Sequence, residues 1–223
     1  MESLIHQSVA AVCFDLDGTL VDSEGEAADA IDLALAPYGR TLSLLERDFV
    51  VGHSADAIYE FIRVHGGMPL TLPEFEDAVY KARVELFQRH GAGELPGARP
   101  VVRLVSSRLP CALVTGSTRP EAELMLSALQ LGGCFRVTMC AGDYVRSKPS
   151  PEPYLRAAEA LGFAPALCLA IEDSTAGIAA ARAAGMLCIA VRAGNRYGQD
   201  QSEANLIVDS LHDVAQLFAG RGG

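Results

Sequence analysis

The stretch Phe14-Asp15-Leu16-Asp17-Gly18-Thr19-Leu20 constrains this chain more than any other, because it follows directly on the apolar run from Val9 to Cys13. A short apolar run without strict alternation reads as a buried parallel strand. Asp15 and Asp17 then stand at the end of that strand, and Gly18 marks a turn. A carboxylate in such a place is costly unless it is paired or metal-bound. Asp-x-Asp also occurs in calcium loops and in solvated acidic turns, so the remainder of the chain has to decide between packing and chemistry.

With 223 residues, half of them hydrophobic, there is enough apolar material for one large domain or for a core with a smaller insert. A net charge of -10 gives no footprint for nucleic acid or for an anionic membrane. No apolar stretch reaches the roughly 20 residues of a spanning helix, and the N-terminus has no basic segment leading into a signal core. The expectation is a cytoplasmic protein, a monomer or weak dimer, whose partner is a small molecule and neither nucleic acid nor membrane. Cys13, Cys111, Cys134, Cys140, Cys168 and Cys188 form no Cys-x-x-Cys pair. Small reduced core residues account for them better than a disulfide framework or a zinc site.

Strand-like and helix-like segments alternate outside one insert. Val9–Phe14, Cys111–Val114, Val137–Ala141, Leu167–Ile171 and Leu187–Val191 are the expected buried strands. Between them, Ser117 or Thr118 is placed to cap a helix through Leu131 that meets Gly132. Ser150 and Pro151 start another that stops near Gly162, and Ser174 opens a third that ends at Gly185. The pattern predicts an α/β fold with a doubly wound, Rossmann-like parallel sheet. Residues 23–93 read differently, as helices in succession. Phe75, Val79, Ala82, Leu86 and Phe87 give an amphipathic helix over 73–90, and Ser54 is placed to cap one through Ile58, Phe61 and Ile62. The expected organisation is a catalytic core of residues 1–22 and 94–223 with an inserted all-helical cap domain, 23–93, whose exit Gly91–Gly97 is rich in hinge residues.

Three further motifs fall just beyond strand ends, where open α/β sheets bind ligands. Thr115, followed by Gly116 and Ser117, offers a hydroxyl and backbone N–H groups to a phosphate oxygen at a helix start, although a plain helix cap explains the threonine too. Lys148, ahead of a proline-constrained turn, suits developing phosphoryl charge, and a solvated loop lysine is its bland reading. Glu172 and Asp173 are adjacent acids between a strand and a helix. Hard oxygen ligands in that arrangement suit Mg2+, whereas a favourable helix dipole explains one acid and not two.

The order Asp-x-Asp-Gly-Thr, Thr115, Lys148-Pro149, Glu172-Asp173 on successive strands resembles the four motifs of the haloacid dehalogenase superfamily, over essentially the whole chain. The insert after the first motif is similar to the helical-cap subgroup that holds β-phosphoglucomutase and many sugar-phosphate phosphatases. That resemblance implies Asp15 as nucleophile forming an aspartyl-phosphate, Asp17 as general acid and base, and Lys148 and Thr115 as the groups that hold the transferring phosphoryl. It further implies Mg2+ bound by Asp15, Asp17 through its backbone carbonyl, Glu172 and Asp173. Related mutases carry a histidine in the first hinge and an arginine after a cap glycine. Here Asp22–Ala27 has no histidine and Gly52-His53-Ser54-Ala55 has no arginine, which favours a phosphatase of a small phosphate monoester, such as a sugar phosphate, over a phosphosugar mutase. Retention of all six motif residues disfavours a non-catalytic phosphate-binding protein. Gly116 and Ser117 in the core, with Gly52, His53 and Lys81 in the cap, are the candidate substrate contacts, ahead of Arg47, Arg63 and Arg83.

Overall fold

The computed structural model describes residues 9–50, 53, 55–91, 93–195 and 198–219. They gather into two compact units, one of residues up to Asp22 together with those from Glu94 onward, the other spanning Ser23–Gly93.

The first unit is built on β1 (Ala11–Phe14), β2 (Cys111–Val114), β3 (Val137–Met139), β4 (Cys168–Glu172), β5 (Leu187–Val191) and β6 (Leu206–Val208). These strands form one parallel sheet in the order β3-β2-β1-β4-β5-β6. The chain winds outward from β1 on one side and then crosses to β4 on the other, so the order reverses at β1, and a crevice opens there at the carboxyl ends of the strands. β1, β2 and β4 are buried along their whole length, as strands covered on both faces must be. Ala11, Cys13, Ala112, Val114, Cys168, Ala170, Cys188 and Ala190 share one face and pack with Tyr154, Ala157 and Leu161 of α7 (Glu152–Leu161) and Ile178 and Ala181 of α8 (Thr175–Ala183). Alternation of the pleat turns Val12, Phe14, Leu113 and Ile171 the other way. The unit also has α5 (Ala98–Ser106), which packs against α9 (Leu211–Ala219).

The helical punctuation follows local chemistry. α6 (Arg119–Ala128) starts at Thr118, which forms a reciprocal capping box with Glu121. It stops at Ala128, three residues before the expected end, because Gln130 turns left-handed (φ 55°) and breaks the helical ladder before Gly132 is reached. Gly162 and Gly185, both left-handed, stop α7 and α8 as expected. The third strand ends at Met139 instead of Ala141. β6 was not anticipated, since it is three residues long and only half-buried. All six cysteines are free, and five are buried. No helix among the described residues is long and apolar enough to cross a membrane.

The second unit holds α1 (Glu24–Leu35), α2 (Leu44–Val50), α3 (Ala55–His65) and α4 (Leu72–His90). Its core joins Ile31, Leu35, Leu42, Val50, Ile58, Ile62, Leu70 and Phe75. α4 begins on a capping box between Thr71 and Glu74. Ser54, expected to cap α3, lies outside the described residues. One buried polar cluster organises this unit. Glu46 accepts from Arg40 Nη2 (2.5 Å) and from the backbone N–H and hydroxyl of Ser43 (2.8 Å each). Arg40 in turn donates to the carbonyls of Gly67 and Thr41. Its guanidinium lies where a side chain at position 66 would stand, which requires Gly66. Burial would raise the Glu46 carboxyl, but the bonds from Arg40 and Ser43 outweigh it and hold the group below the ordinary carboxylate range. Removing one partner of such a pair strands the other, so Glu46→Ala is expected to destabilise the chain by about 3 kcal/mol in chemical unfolding. Because the folded pKa is depressed, this contribution is present above the ordinary carboxylate pKa and is lost as pH falls through the folded one. The gap between wild type and variant should therefore narrow in acid.

Candidate active site

The carboxyl ends of β1, β2 and β4 and the loop that follows β3 deliver the motif residues to one place. Asp15 continues the β1 ladder by donating its N–H to the Ile171 carbonyl (3.0 Å). The chain then folds back on itself, with the Leu16 carbonyl accepting from Thr19, Leu20 and Val21 and Gly18 N–H donating to the Val21 carbonyl. Gly18 has φ +79°, and a Cβ there would stand 2.3 Å from Asp173 Oδ2, so backbone conformation and close approach both demand glycine.

Lys148 is the hub. Its ammonium donates to Asp15 Oδ1 (2.7 Å), Glu172 Oε1 (2.6 Å) and the Val114 carbonyl (3.0 Å), which uses all three of its donors. The ammonium also lies 5.2 Å from the centre of the Tyr154 ring. The loop leading to it is anchored by Glu152, at the start of α7, whose carboxylate accepts the N–H groups of Val145 (2.9 Å) and Arg146 (3.1 Å). Those bonds, the one from Val145 foremost, hold the Glu152 carboxyl down at about 2.

Glu172, fully buried, takes a second hydrogen bond at Oε1 from the Tyr154 hydroxyl (2.7 Å), while Oε2 accepts from the Asp173 N–H and the Ser174 hydroxyl (3.2 Å each). A Cβ at Gly177, in the first turn of α8, would fall 1.9 Å from the Glu172 carboxylate. Asp173 accepts from the Thr19 hydroxyl (2.9 Å). Carboxylate oxygens of Asp15, Glu172 and Asp173 lie within 4.8 Å of one another. Asp17 is not in that trio. Its Oδ2 is held by the hydroxyls of Thr115 (2.8 Å) and Ser117 (2.7 Å), and the Ser117 N–H donates to Thr115 Oγ1 (2.9 Å). The Thr115 carbonyl accepts from Tyr144 (3.0 Å).

The electrostatics follow from crowding. Burial pushes the Asp15 carboxyl up to about 7; Lys148 pulls it down, and Glu172 and Asp17 add to the rise. Asp173 is raised in the same way, by burial first and then by Asp15 and Glu172. Burial opposes the Lys148 ammonium, yet Asp15 and Glu172 raise it above its ordinary value, so it stays charged. One ammonium among three converging buried acids leaves negative charge uncompensated. The donor set is all hard oxygen, which fits a small divalent cation such as Mg2+.

Of the substrate candidates in the first unit, Ser117 reaches Asp17, and Gly116 is exposed with open space where a Cβ would be. In the helical unit Lys81 is ion-paired with Asp77 (2.5 Å) on an exposed face, and His53 stacks on Phe49 with ring centres 3.9 Å apart. Gly52 lies outside the described residues. Arg47 pairs with Asp29 and Asp32, and Arg63 with Glu60. Sequence reasoning passed over Tyr154 and Thr19. Tyr154 carried a signal, since six residues after Lys148 it enters α7 on the face that packs toward the sheet.

Comparison with known proteins agrees with this geometry. The family model for haloacid dehalogenase-like hydrolases matches residues 9–185. The chain is 31% identical to the phosphoglycolate phosphatase of Escherichia coli O157:H7, covering 93% of this chain and 92% of that protein. It is likewise 31% identical to the bifunctional riboflavin kinase/FMN phosphatase of Arabidopsis thaliana, covering 96% of this chain and spanning only 56% of that longer protein. Among solved structures, CbbY from Rhodobacter sphaeroides in complex with phosphate shares the fold with a TM-score of 0.83 at 24% identity, over 92% of this chain and 96% of its own. The family model over residues 9–185 and the 31% identity to a phosphoglycolate phosphatase thus place this chain, in which the ends of β1, β2 and β4 and the loop after β3 bring Asp15, Asp17, Thr115, Lys148, Glu172 and Asp173 together, in the haloacid dehalogenase-like hydrolase family.

Proposed function

We propose that this protein is a Mg2+-dependent phosphatase that hydrolyses a small phosphate monoester, such as a sugar phosphate, through an aspartyl-phosphate on Asp15. The observation that carries the reading is the division of labour between the two acids of one motif. Asp15 is buried beside Lys148, and Asp17 is held apart from it by Thr115 and Ser117. The phosphatases among the relatives support the same chemistry.

In the first step an Asp15 carboxylate oxygen attacks phosphorus, the bond from phosphorus to the leaving oxygen breaks, and Asp17 gives that oxygen its proton. In the second step Asp17 takes a proton from water as the water oxygen attacks phosphorus, and the acyl-phosphate bond breaks to return Asp15 and release phosphate. Thr115 and Ser117 fix the orientation of Asp17 for both proton transfers, and Lys148 orients Asp15 and supplies positive charge beside the phosphoryl group. Asp15, Glu172, Asp173 and the Asp17 carbonyl would hold Mg2+, which when bound offsets repulsion between the nucleophile and a phosphate dianion. Residues 23–93 serve as the cap that selects the leaving group. Water takes the phosphoryl group in preference to a sugar hydroxyl, since residues 22–27 and 52–55 lack the histidine and arginine of the related mutases.

The test is phosphate release from a panel of small phosphomonoesters with Mg2+, with sugar 1-phosphates also assayed for isomer formation. Release that vanishes in Asp15→Asn and on chelation is expected; isomer formation without release would replace the phosphatase by a mutase. Asp17→Asn is expected to lower kcat by at least about 100-fold, the scale of a lost general acid and base. Ser117→Ala, which removes one of two hydroxyls on Asp17, should cost distinctly less, and equal losses would contradict a mere orienting role for Ser117. His53→Ala and Lys81→Ala are expected to change the ratio of kcat/KM across the panel while leaving the ranking of core variants intact. Unchanged ratios would remove these two residues from substrate recognition.

A further inference from the structure

The segment that follows β5 has no part in the chemistry above, yet it reaches into the site. Gln201 is polar and nearly fully buried at 6% exposure. Its Nε2 donates both hydrogens, one to the Asp173 carbonyl (2.6 Å) and one to the Val191 carbonyl at the end of β5 (3.0 Å). Two residues earlier, Gln199 Oε1 accepts the N–H of Thr175 (3.0 Å), and the Asp200 carbonyl accepts the Thr175 hydroxyl (2.8 Å). The segment is itself braced, because the Asn195 side chain donates to the Gln199 carbonyl (2.8 Å) and accepts its N–H (2.7 Å). On its other flank Gly194 lies so close to the first motif that a Cβ would stand 1.6 Å from the Gly18 carbonyl oxygen.

Two acid-bearing turns from different strands, 15–18 and 172–175, are therefore touched by one loop. Asp173 is gripped at both ends, by Thr19 at its carboxylate and by Gln201 at its backbone carbonyl. An interior amide with both donors satisfied is expensive to place and rigid once placed. We propose that Gln201, seconded by Gln199, is a positioning residue that fixes Asp173 for divalent-cation binding, with Gly194, Asn195 and residues 199–201 acting as a latch between the two acidic turns. The inference rests on the reading of Asp173 as a metal acid. Outer partners of metal ligands commonly set affinity by one or two orders of magnitude.

The test is calorimetric titration of the metal-stripped full chain with Mg2+, alongside thermal unfolding without metal, for wild type, Gln201→Met and Asp173→Asn. Gln201→Met keeps length and removes both donors. It is expected to weaken Mg2+ binding about tenfold, whereas Asp173→Asn should lose binding. Unchanged affinity in Gln201→Met beside lost binding in Asp173→Asn would overturn the latch and leave the metal assignment standing, even if Gln201→Met unfolds earlier. Equal binding by wild type and Asp173→Asn would overturn the metal assignment and the latch with it. Should Gln201→Met fail to fold, Gln199→Ala, at a half-buried position, carries the same test: weakened Mg2+ binding supports the latch and unchanged binding refutes it.

Discussion

One half-buried ammonium holding two buried carboxylates is the interaction on which the rest of this molecule turns. Lys148 spends every donor on Asp15, Glu172 and the Val114 carbonyl, and thereby ties together β1, β2 and β4, the strands at the sheet's reversal point. Such a cluster is poor evidence of stability, because desolvating its charges offsets much of what their attraction returns. Three acids against one ammonium leave an excess of negative charge in a place where water cannot screen it. Burial first, and then that crowding of acids, raises the carboxyls of Asp15 and Asp173, and a divalent cation would relieve the excess.

Keeping such a cluster in place is mostly a matter of backbone, and glycine does much of it. Gly18, Gly177 and Gly194 each leave no room for a Cβ, because Asp173, Glu172 and the Gly18 carbonyl respectively stand in the space. Asp173 and Glu172 are therefore packed directly against main chain, in addition to the grip of Lys148 on Glu172. Around them, hydroxyls do the fine positioning: Thr19 on Asp173, Tyr154 and Ser174 on Glu172, Thr115 and Ser117 on Asp17. Short hydroxyl side chains lose little rotamer freedom on being fixed, so a site assembled from them is already ordered before a ligand arrives.

Most of this was legible in the sequence where a residue's role depends on its own segment. Asp15, Asp17, Thr115 and Asp173 stand just past an apolar strand and Glu172 ends one, while Lys148 lies in the loop that follows β3, and strand polarity alone brings the ends of parallel strands to one edge. The helix caps at Thr118 and Ser174 were legible for the same reason, since a cap is a contract between residues three apart. What the sequence concealed depends on partners far along the chain. Thr19 meets Asp173 across 154 positions, and Gln201 meets Asp173 across 28. Thr19 belongs to the Asp-x-Asp-Gly-Thr motif, but nothing local to it or to Gln201 names Asp173 as the partner. β6 escaped because three half-buried residues give no apolar run, and Gln130 because a left-handed non-glycine is invisible to a reading that looks to Gly132 for the stop.

The two acids of the first motif show how much a difference of surroundings can separate identical side chains. Asp15 and Asp17 lie two residues apart on one turn, yet one is surrounded by acids and an ammonium and the other by hydroxyls. A carboxylate with Lys148 on Oδ1 is held in one orientation, as the proposed nucleophile needs, and its proton affinity is set by burial and neighbouring charge. A carboxylate whose oxygen is held by two neutral donors stands outside the trio of converging acids, and in the proposed mechanism it has the other task, moving protons. The intervening Leu16, fully buried, makes the separation structural: it anchors the turn in the core while its carbonyl gathers three N–H groups, so the acids on either side point to different neighbours. The spacing of the motif is thus a device for giving two chemically equal groups unequal environments.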